Sequence, residues 1–257
     1  QPHVALQIYG FATLVAYIIT SLIQISFASG LRMIILKNIF SFDFSRTKYL
    51  INNYYFFLLS ALLAQINIYV DMAFISSLDS GSISKYNIII KLPELGQSLL
   101  VGSMGVVFLN RIVKESKKIS FIFFRMLLIL MLLFIPALLG VYFFGTDILY
   151  FIYGKESFEG MSQAEILNIL LFISVNVLIA VLVALFIKIS IAKGKSKFLF
   201  FATLICAAIN MIGNYLFIDD YGLLGVSIAT LIASSALLVL FIIKNFFYKK
   251  NDEYIAA

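Results

Sequence analysis

The chain has 257 residues, 62% of them hydrophobic and 12% charged, with a formal net charge of +6. Soluble domains run nearer 45–50% apolar and about 25% charged, and a soluble fold of this size cannot bury so much apolar surface, so lipid must cover it, as a mean hydropathy of +1.04 also requires. This excludes a soluble enzyme, a disordered chain and a disulfide-stapled secreted domain, and the continuous rather than alternating apolar runs exclude an outer-membrane barrel. Cys206 is the single cysteine and His3 the single histidine. They supply too little for a disulfide, a Cys/His metal site or a His-based triad, so neither a metal site nor a cofactor is expected.

Seven apolar segments are long enough to cross about 30 Å of hydrocarbon at 1.5 Å per residue. They cover residues 4–29, 50–78, 83–109, 119–144, 164–189, 198–218 and 221–247. The expected fold class is therefore all-α, a polytopic transmembrane helix bundle of about seven spans. The first span carries Gly10, Thr13, Tyr17, Ser21 and Gln24 on one face, and residues 31–42 behind it read as a cytoplasmic interfacial helix. The second places Ser60, Ala64, Asn67 and Asp71 at steps of four, three and four, with Gln65 beside them. Asp71 lies near the outer end, where it serves either snorkelling and helix pairing or a cavity and coupling-ion role.

The third span is the weakest by hydropathy and the most informative. Ser84, Asn87, Lys91, Glu94, Ser98, Gly102 and Gly105 form one polar and small stripe, with Pro93 as a kink. Either the stripe is a cavity wall whose Lys91 meets an anionic headgroup, or Lys91 and Glu94 neutralise each other and the glycines allow close helix packing. In the fourth span Pro136 predicts a kink and Arg125 snorkels. Residues 148–153 follow Gly145 and are expected to lie along the outer face. The sixth span has Thr203, Asn210, Gly213 and Asn214, and the last has Gly222, Gly225, Ser227, Ala229, Thr230 and Ser234. Such stripes are more often packing surfaces than sites.

Charge sets the orientation. Arg32, Lys37, Arg46 and Lys48 precede the second span; Arg111, Lys114, Lys117 and Lys118 follow the third; Lys188, Lys193, Lys195 and Lys197 gather at the end of the fifth and the loop after it; Lys244, Lys249 and Lys250 close the chain. The alternate loops hold only Lys85 and Lys155 beside several carboxylates. The basic loops are assigned to the cytoplasm, which puts the N-terminus outside and the C-terminus inside. Basic residues so spaced report topology, not a nucleic-acid partner. Gly194-Lys195-Ser196 lacks the upstream glycine of a phosphate loop, so nothing points to an ATPase. With no initiating Met and no signal-peptide pattern, the chain is expected to be the C-terminal piece of a longer protein.

Tyr69-Val70-Asp71-Met72-Ala73-Phe74-Ile75, then Ser82-Ile83-Ser84-Lys85-Tyr86-Asn87, then Lys91-Leu92-Pro93 resemble the opening of the second lobe in bacterial oligosaccharide-lipid flippases. Residues 148–158, 192–197 and 210–214 are similar to later parts of that lobe. The most specific match is Tyr221-Gly222-Leu223-Leu224-Gly225-Val226-Ser227-Ile228-Ala229-Thr230. The resemblance is to the multidrug/oligosaccharidyl-lipid/polysaccharide exporter superfamily, nearest its O-antigen-type polysaccharide flippases and next its lipid II flippases. Where the latter are expected to carry an arginine one turn before the proline, this chain has Ile88 and Ile89, which leaves Lys91 as the basic candidate.

The resemblance implies two six-helix bundles around a central cavity. Residues 1–45 would then be the last transmembrane helix of the first lobe plus a cytoplasmic connecting segment, and 46–257 the second-lobe bundle. It implies a non-enzymatic flippase in the cytoplasmic membrane, multi-pass, moving a polyprenyl-pyrophosphate-linked oligosaccharide by alternating access. The partners implied are that lipid-linked glycan, membrane lipid and the missing N-terminal lobe. A pyrophosphate and a sugar need a cation and hydrogen-bonding groups, for which Lys91, Asn87, Ser84, Asn67 and Gln65 stand out. Asp71 or Glu94 would hold a coupling ion. One alternative is a cation-coupled multidrug or metabolite exporter of the same superfamily, with an acidic, aromatic cavity. The other is a membrane glycan polymerase or ligase, which needs a large outer loop of convergent acids and bases; the longest outer loop, 145–163, is short and has no histidine.

Overall fold

A computed structural model describes residues 15, 18–20, 44–114, 119–192 and 194–244. Almost all of the expected first span, its polar stripe, and the 31–42 segment lie outside the described residues. Internal contacts divide the chain between Asn52 and Asn53, and residues 53–257 form the unit that holds the site.

Five α-helices follow in order: α1 Phe44–Ile75, α2 Ser82–Lys114, α3 Ile119–Tyr153, α4 Gln163–Ala192 and α5 Ser196–Ile242, with a 3-10 turn at Lys155–Phe158. No strand occurs among the described residues. Four of the helices are long and apolar enough to cross a membrane, over Tyr54–Ile75, Phe123–Tyr153, Gln163–Ile191 and Ser196–Ile242. α2 is not among them, because its polar and small residues dilute its hydropathy. Its 33 residues still reach about 50 Å at 1.5 Å per residue, ample for a crossing.

α4 is the central post. Some 56% of its apolar window is buried, against 6% for α3, so α3 turns most of its Leu and Phe side chains outward. Two apolar clusters hold the unit together. One joins Leu130 of α3, Phe186 and Ile189 of α4 and Phe241 of α5, with the Phe186 and Phe241 rings stacked 5.7 Å apart. The other joins Ile75, Tyr86, Leu149, Ile166 and Val226, capped by Phe158 from the 3-10 turn. Ser162 sits just ahead of α4, and its hydroxyl accepts from the Glu165 amide at 3.1 Å, which satisfies one of the open donors at that end.

One element corrects the sequence reading and another fits it. Residues 148–153 are not a connection after the fourth span; they are the last turns of α3, with Leu149 wholly buried. Gly145 looks like a stop but is a close-approach residue, since a Cβ there would stand 2.5 Å from Leu170 Cδ2 of α4. The stop is Gly154, whose amide still donates back to the Tyr150 carbonyl at 3.0 Å but whose φ of +77, open to glycine, turns the chain out of the helix.

The other element is α5. Its 47 residues would run about 70 Å if straight, more than twice the hydrocarbon thickness. Gly222 breaks it, at φ 54 and ψ −131, a conformation open to glycine alone. The two sides then meet: the Cys206 thiol reaches the Ala233 carbonyl at 3.4 Å, Gly213 faces Ala229, and Gly225 lies against the Phe217 carbonyl. α5 is therefore a helical hairpin whose arms match the expected sixth and seventh spans. Gly213 and Gly225 let the arms touch, as the small-residue stripes suggested.

Candidate functional site

α2 starts from a turn at Gly81, φ +90, and its outer end is pinned by the Lys85 ammonium, which donates to the Glu159 carbonyl at 2.5 Å. This presents Ser84, Asn87 and Lys91 on one wall of a groove of about 720 Å³ that Gly81, Ile83, Ile88 and Tyr153 complete. Inside the groove the Lys91 ammonium pairs with Glu94 at 2.7 Å, both side chains about half exposed. Lys91 thus lines the groove and is at the same time neutralised by its neighbour. An exposed pair of this kind is worth at most about 1 kcal/mol, so a stronger anion can displace the carboxylate. Among the described residues, a Cβ at Gly96 or Gly102 would meet nothing within 4 Å.

Asn67 and Gln65 do not join this groove. Gln65 is exposed on α1. Asn67 and Asp71, one turn apart, face the first arm of α5, where Asn210 and Asn214 repeat the same spacing. Asn210 Nδ2 donates to Asp71 Oδ1 at 2.5 Å and to Asn67 Oδ1 at 3.3 Å, and Asn214 Nδ2 donates to the same Asp71 oxygen at 2.6 Å. Both α5 amides are fully buried and Asp71 is 9% exposed. The sequence left Asn210 and Asn214 as part of a packing surface. The signal that could have found them is the i,i+4 pair of amides in one span answering an i,i+4 Asn/Asp pair in another.

The cluster has surplus acceptors. Asn210 Oδ1, Asn214 Oδ1 and Thr230 Oγ1 are buried with no hydrogen-bond partner. The hairpin register, in which residue 206 meets 233 and 213 meets 229, sets Thr230 alongside Asn210. A buried acceptor left unpaired costs roughly 1–3 kcal/mol, so the two amide oxygens beside Asp71 call for a compensating charge or donor. Oxygen ligands of this kind suit a hard cation, and a single carboxylate matches a single positive charge.

The fold is that of a transporter of the MOP superfamily. It is similar to an outward-facing multidrug-resistance MATE transporter of that superfamily (TM-score 0.62, 14% identity, 75% of this chain and 43% of that one). It is similar also to a MOP-superfamily transporter from Pyrococcus furiosus (TM-score 0.60, 15% identity, 75% and 43%). A third likeness is to lipid II flippase MurJ in an inward closed conformation (TM-score 0.60, 24% identity, 79% and 44%). The chain thus spans less than half the length of the solved structures it matches. No curated protein matches it. The family model of lipid II flippase MurJ matches residues 1–254, and the chain belongs to that family. It is a multi-pass membrane protein. The sequence resemblance put O-antigen-type flippases first; the family match is to the lipid II branch, although Ile88 and Ile89 stand where that branch was expected to carry an arginine.

Proposed function

We propose that this chain is the second half of a flippase that moves a polyprenyl-pyrophosphate-linked glycan, a peptidoglycan precursor of the lipid II type, across the cytoplasmic membrane. The match of the lipid II flippase family over residues 1–254 carries the reading. In it, residues 1–45 end the first lobe and connect it to 46–257, the C-terminus is cytoplasmic, and the missing N-terminal lobe supplies the opposite cavity wall. The protein moves its substrate without making or breaking covalent bonds. Ser84 and Asn87 offer hydrogen bonds to sugar hydroxyls in the groove of α2, while Lys91 exchanges Glu94 for a phosphate oxygen. Rocking of the two lobes then exposes the groove to one side of the membrane and the other.

The coupling ion goes to Asp71 rather than Glu94, because Glu94 already has Lys91 as its counter-charge. A monovalent cation between Asp71, Asn210, Asn214 and Thr230 would use the oxygens that lack partners and draw α1 onto the α5 hairpin. Its arrival or departure would change how tightly those helices hold together, which is the differential binding an alternating-access cycle needs.

The test is depletion of the full-length protein in its host, followed by lipid extraction. Accumulation of a polyprenyl-pyrophosphate glycan on the cytoplasmic side, relieved by the wild-type gene, is expected. Drug sensitivity without accumulation would move the reading to the cation-coupled exporter, for which the MATE fold likeness is the supporting observation.

A further inference from the structure

The charge pattern counted Lys188 with a basic loop. In the structure it stands inside α4, half-buried, and its side chain does not run to the helix end. It crosses to α2 and lies over Gly105. The three atoms nearest to a Cβ built at Gly105 all belong to Lys188: Nζ at 2.6 Å, Cε at 2.8 Å and Cδ at 3.6 Å. A side chain at this position would crowd the ammonium and press the flexible end of Lys188 aside. Lys188 has no ion pair or hydrogen bond among the described residues. An uncompensated cation in a membrane-spanning helix is expensive and marks a pathway more often than a scaffold.

Gly105 is the last member of the α2 stripe. It lies fourteen positions after Lys91, about 21 Å further along an ideal helix and turned by only about 40°. α4 thus lends the stripe a second ammonium at its far end. The two differ in readiness: Lys91 is neutralised by Glu94, and Lys188 has no counter-charge among the described residues.

We propose that Lys188, seated over Gly105, is a second phosphate-binding residue of the translocation path, taking the diphosphate of the lipid-linked substrate at the end of the α2 stripe opposite Lys91. The inference rests on the flippase reading. An ammonium with three donors and no carboxylate competitor is the stronger first station for a diphosphate. Lys91 is the second, reached when the anion displaces Glu94.

The same phosphate chemistry is offered by the headgroup of an ordinary anionic lipid, so the test separates the two. The full-length protein in detergent is titrated with polyprenyl diphosphate and, separately, with phosphatidylglycerol, and retention is read by native mass spectrometry. Lys188→Gln is expected to weaken polyprenyl diphosphate binding about tenfold, as the loss of one charge-assisted hydrogen bond implies, while leaving phosphatidylglycerol unchanged. Lys188→Arg should restore most of the binding. Gly105→Ala keeps the lysine, puts a methyl 2.6 Å from where Nζ lies so that the ammonium must shift, and should weaken the diphosphate several-fold; it decides the matter if Lys188→Gln does not fold. Unchanged diphosphate binding in Gly105→Ala and Lys188→Gln, or equal loss of both lipids, would overturn the proposal and leave the flippase reading standing. A wild-type protein that retains no polyprenyl diphosphate would overturn both.

Discussion

Replacing Asp71 by Ala removes the one acceptor that two buried amides share. Asn214 Nδ2 would lose the acceptor it reaches at 2.6 Å, and Asn210 Nδ2 would keep the longer contact to Asn67 at 3.3 Å. At about 1–3 kcal/mol for each stranded donor, the expected loss of stability is about 2–5 kcal/mol. Asp71→Asn is the sharper variant. Its amide oxygen still accepts from Asn210 and Asn214, and its new N–H groups can donate to the two unpartnered amide oxygens. It should therefore be as stable as the wild type without added cation, or more so, and yet have no cation response. The wild type should gain about 2.7 kcal/mol when a bound cation is present at a hundred times its dissociation constant, which is a rise of about 3–5 °C in melting temperature for a full-length protein roughly twice the size of this chain. Thermal unfolding of the full-length protein in sodium, potassium and choline salts reads both effects. An Asp71→Asn protein that retains the wild-type cation response would refute the assignment of the ion to this cluster.

Two further outcomes follow from the geometry. Glu94→Gln frees Lys91 from its half-exposed partner, so stability should change by less than about 1 kcal/mol while diphosphate binding strengthens; Lys91→Ala should be similarly mild in melting temperature but fail to relieve precursor accumulation. Gly222→Ala forces a side chain into φ 54, ψ −131 and should cost about 1–3 kcal/mol, seen as a lower melting temperature and as a faster reaction of Cys206 with a thiol reagent once the hairpin arms part.

The elements that depend on local sequence were legible, and those that depend on which helix meets which were not. Hydropathy length placed the helices, and the glycine-rich run at 221–225 announced a break that the structure makes at Gly222. The polar stripe of α2 was visible because helical periodicity alone puts Ser84, Asn87 and Lys91 together. Gly145 and Gly154 both follow aromatic residues, and only the approach of Leu170 makes the first a packing contact rather than a stop. Asn67 was grouped with Lys91 because both are polar and membrane-embedded. Its true partner, Asn210, lies 143 residues away, and no periodicity carries that information. Lys188 is the same problem in reverse: a lysine near a helix end is expected to reach for water, and a gap in a neighbouring helix turns it inward.

The reversal at Gly222 also bears on how the chain enters a bilayer. Its two arms are joined through contacts that run from Phe217 and Gly225 to Cys206 and Ala233. A first arm released into lipid alone would carry Asn210 and Asn214 with nothing to answer them. Delivered as a pair, the arms shield each other's small-residue faces and present the two amides to Asp71, in a span synthesised well before them. The hairpin is thus the natural unit of insertion, and under the proposed topology the exposed Asp219 and Asp220 at its tip cross ahead of it.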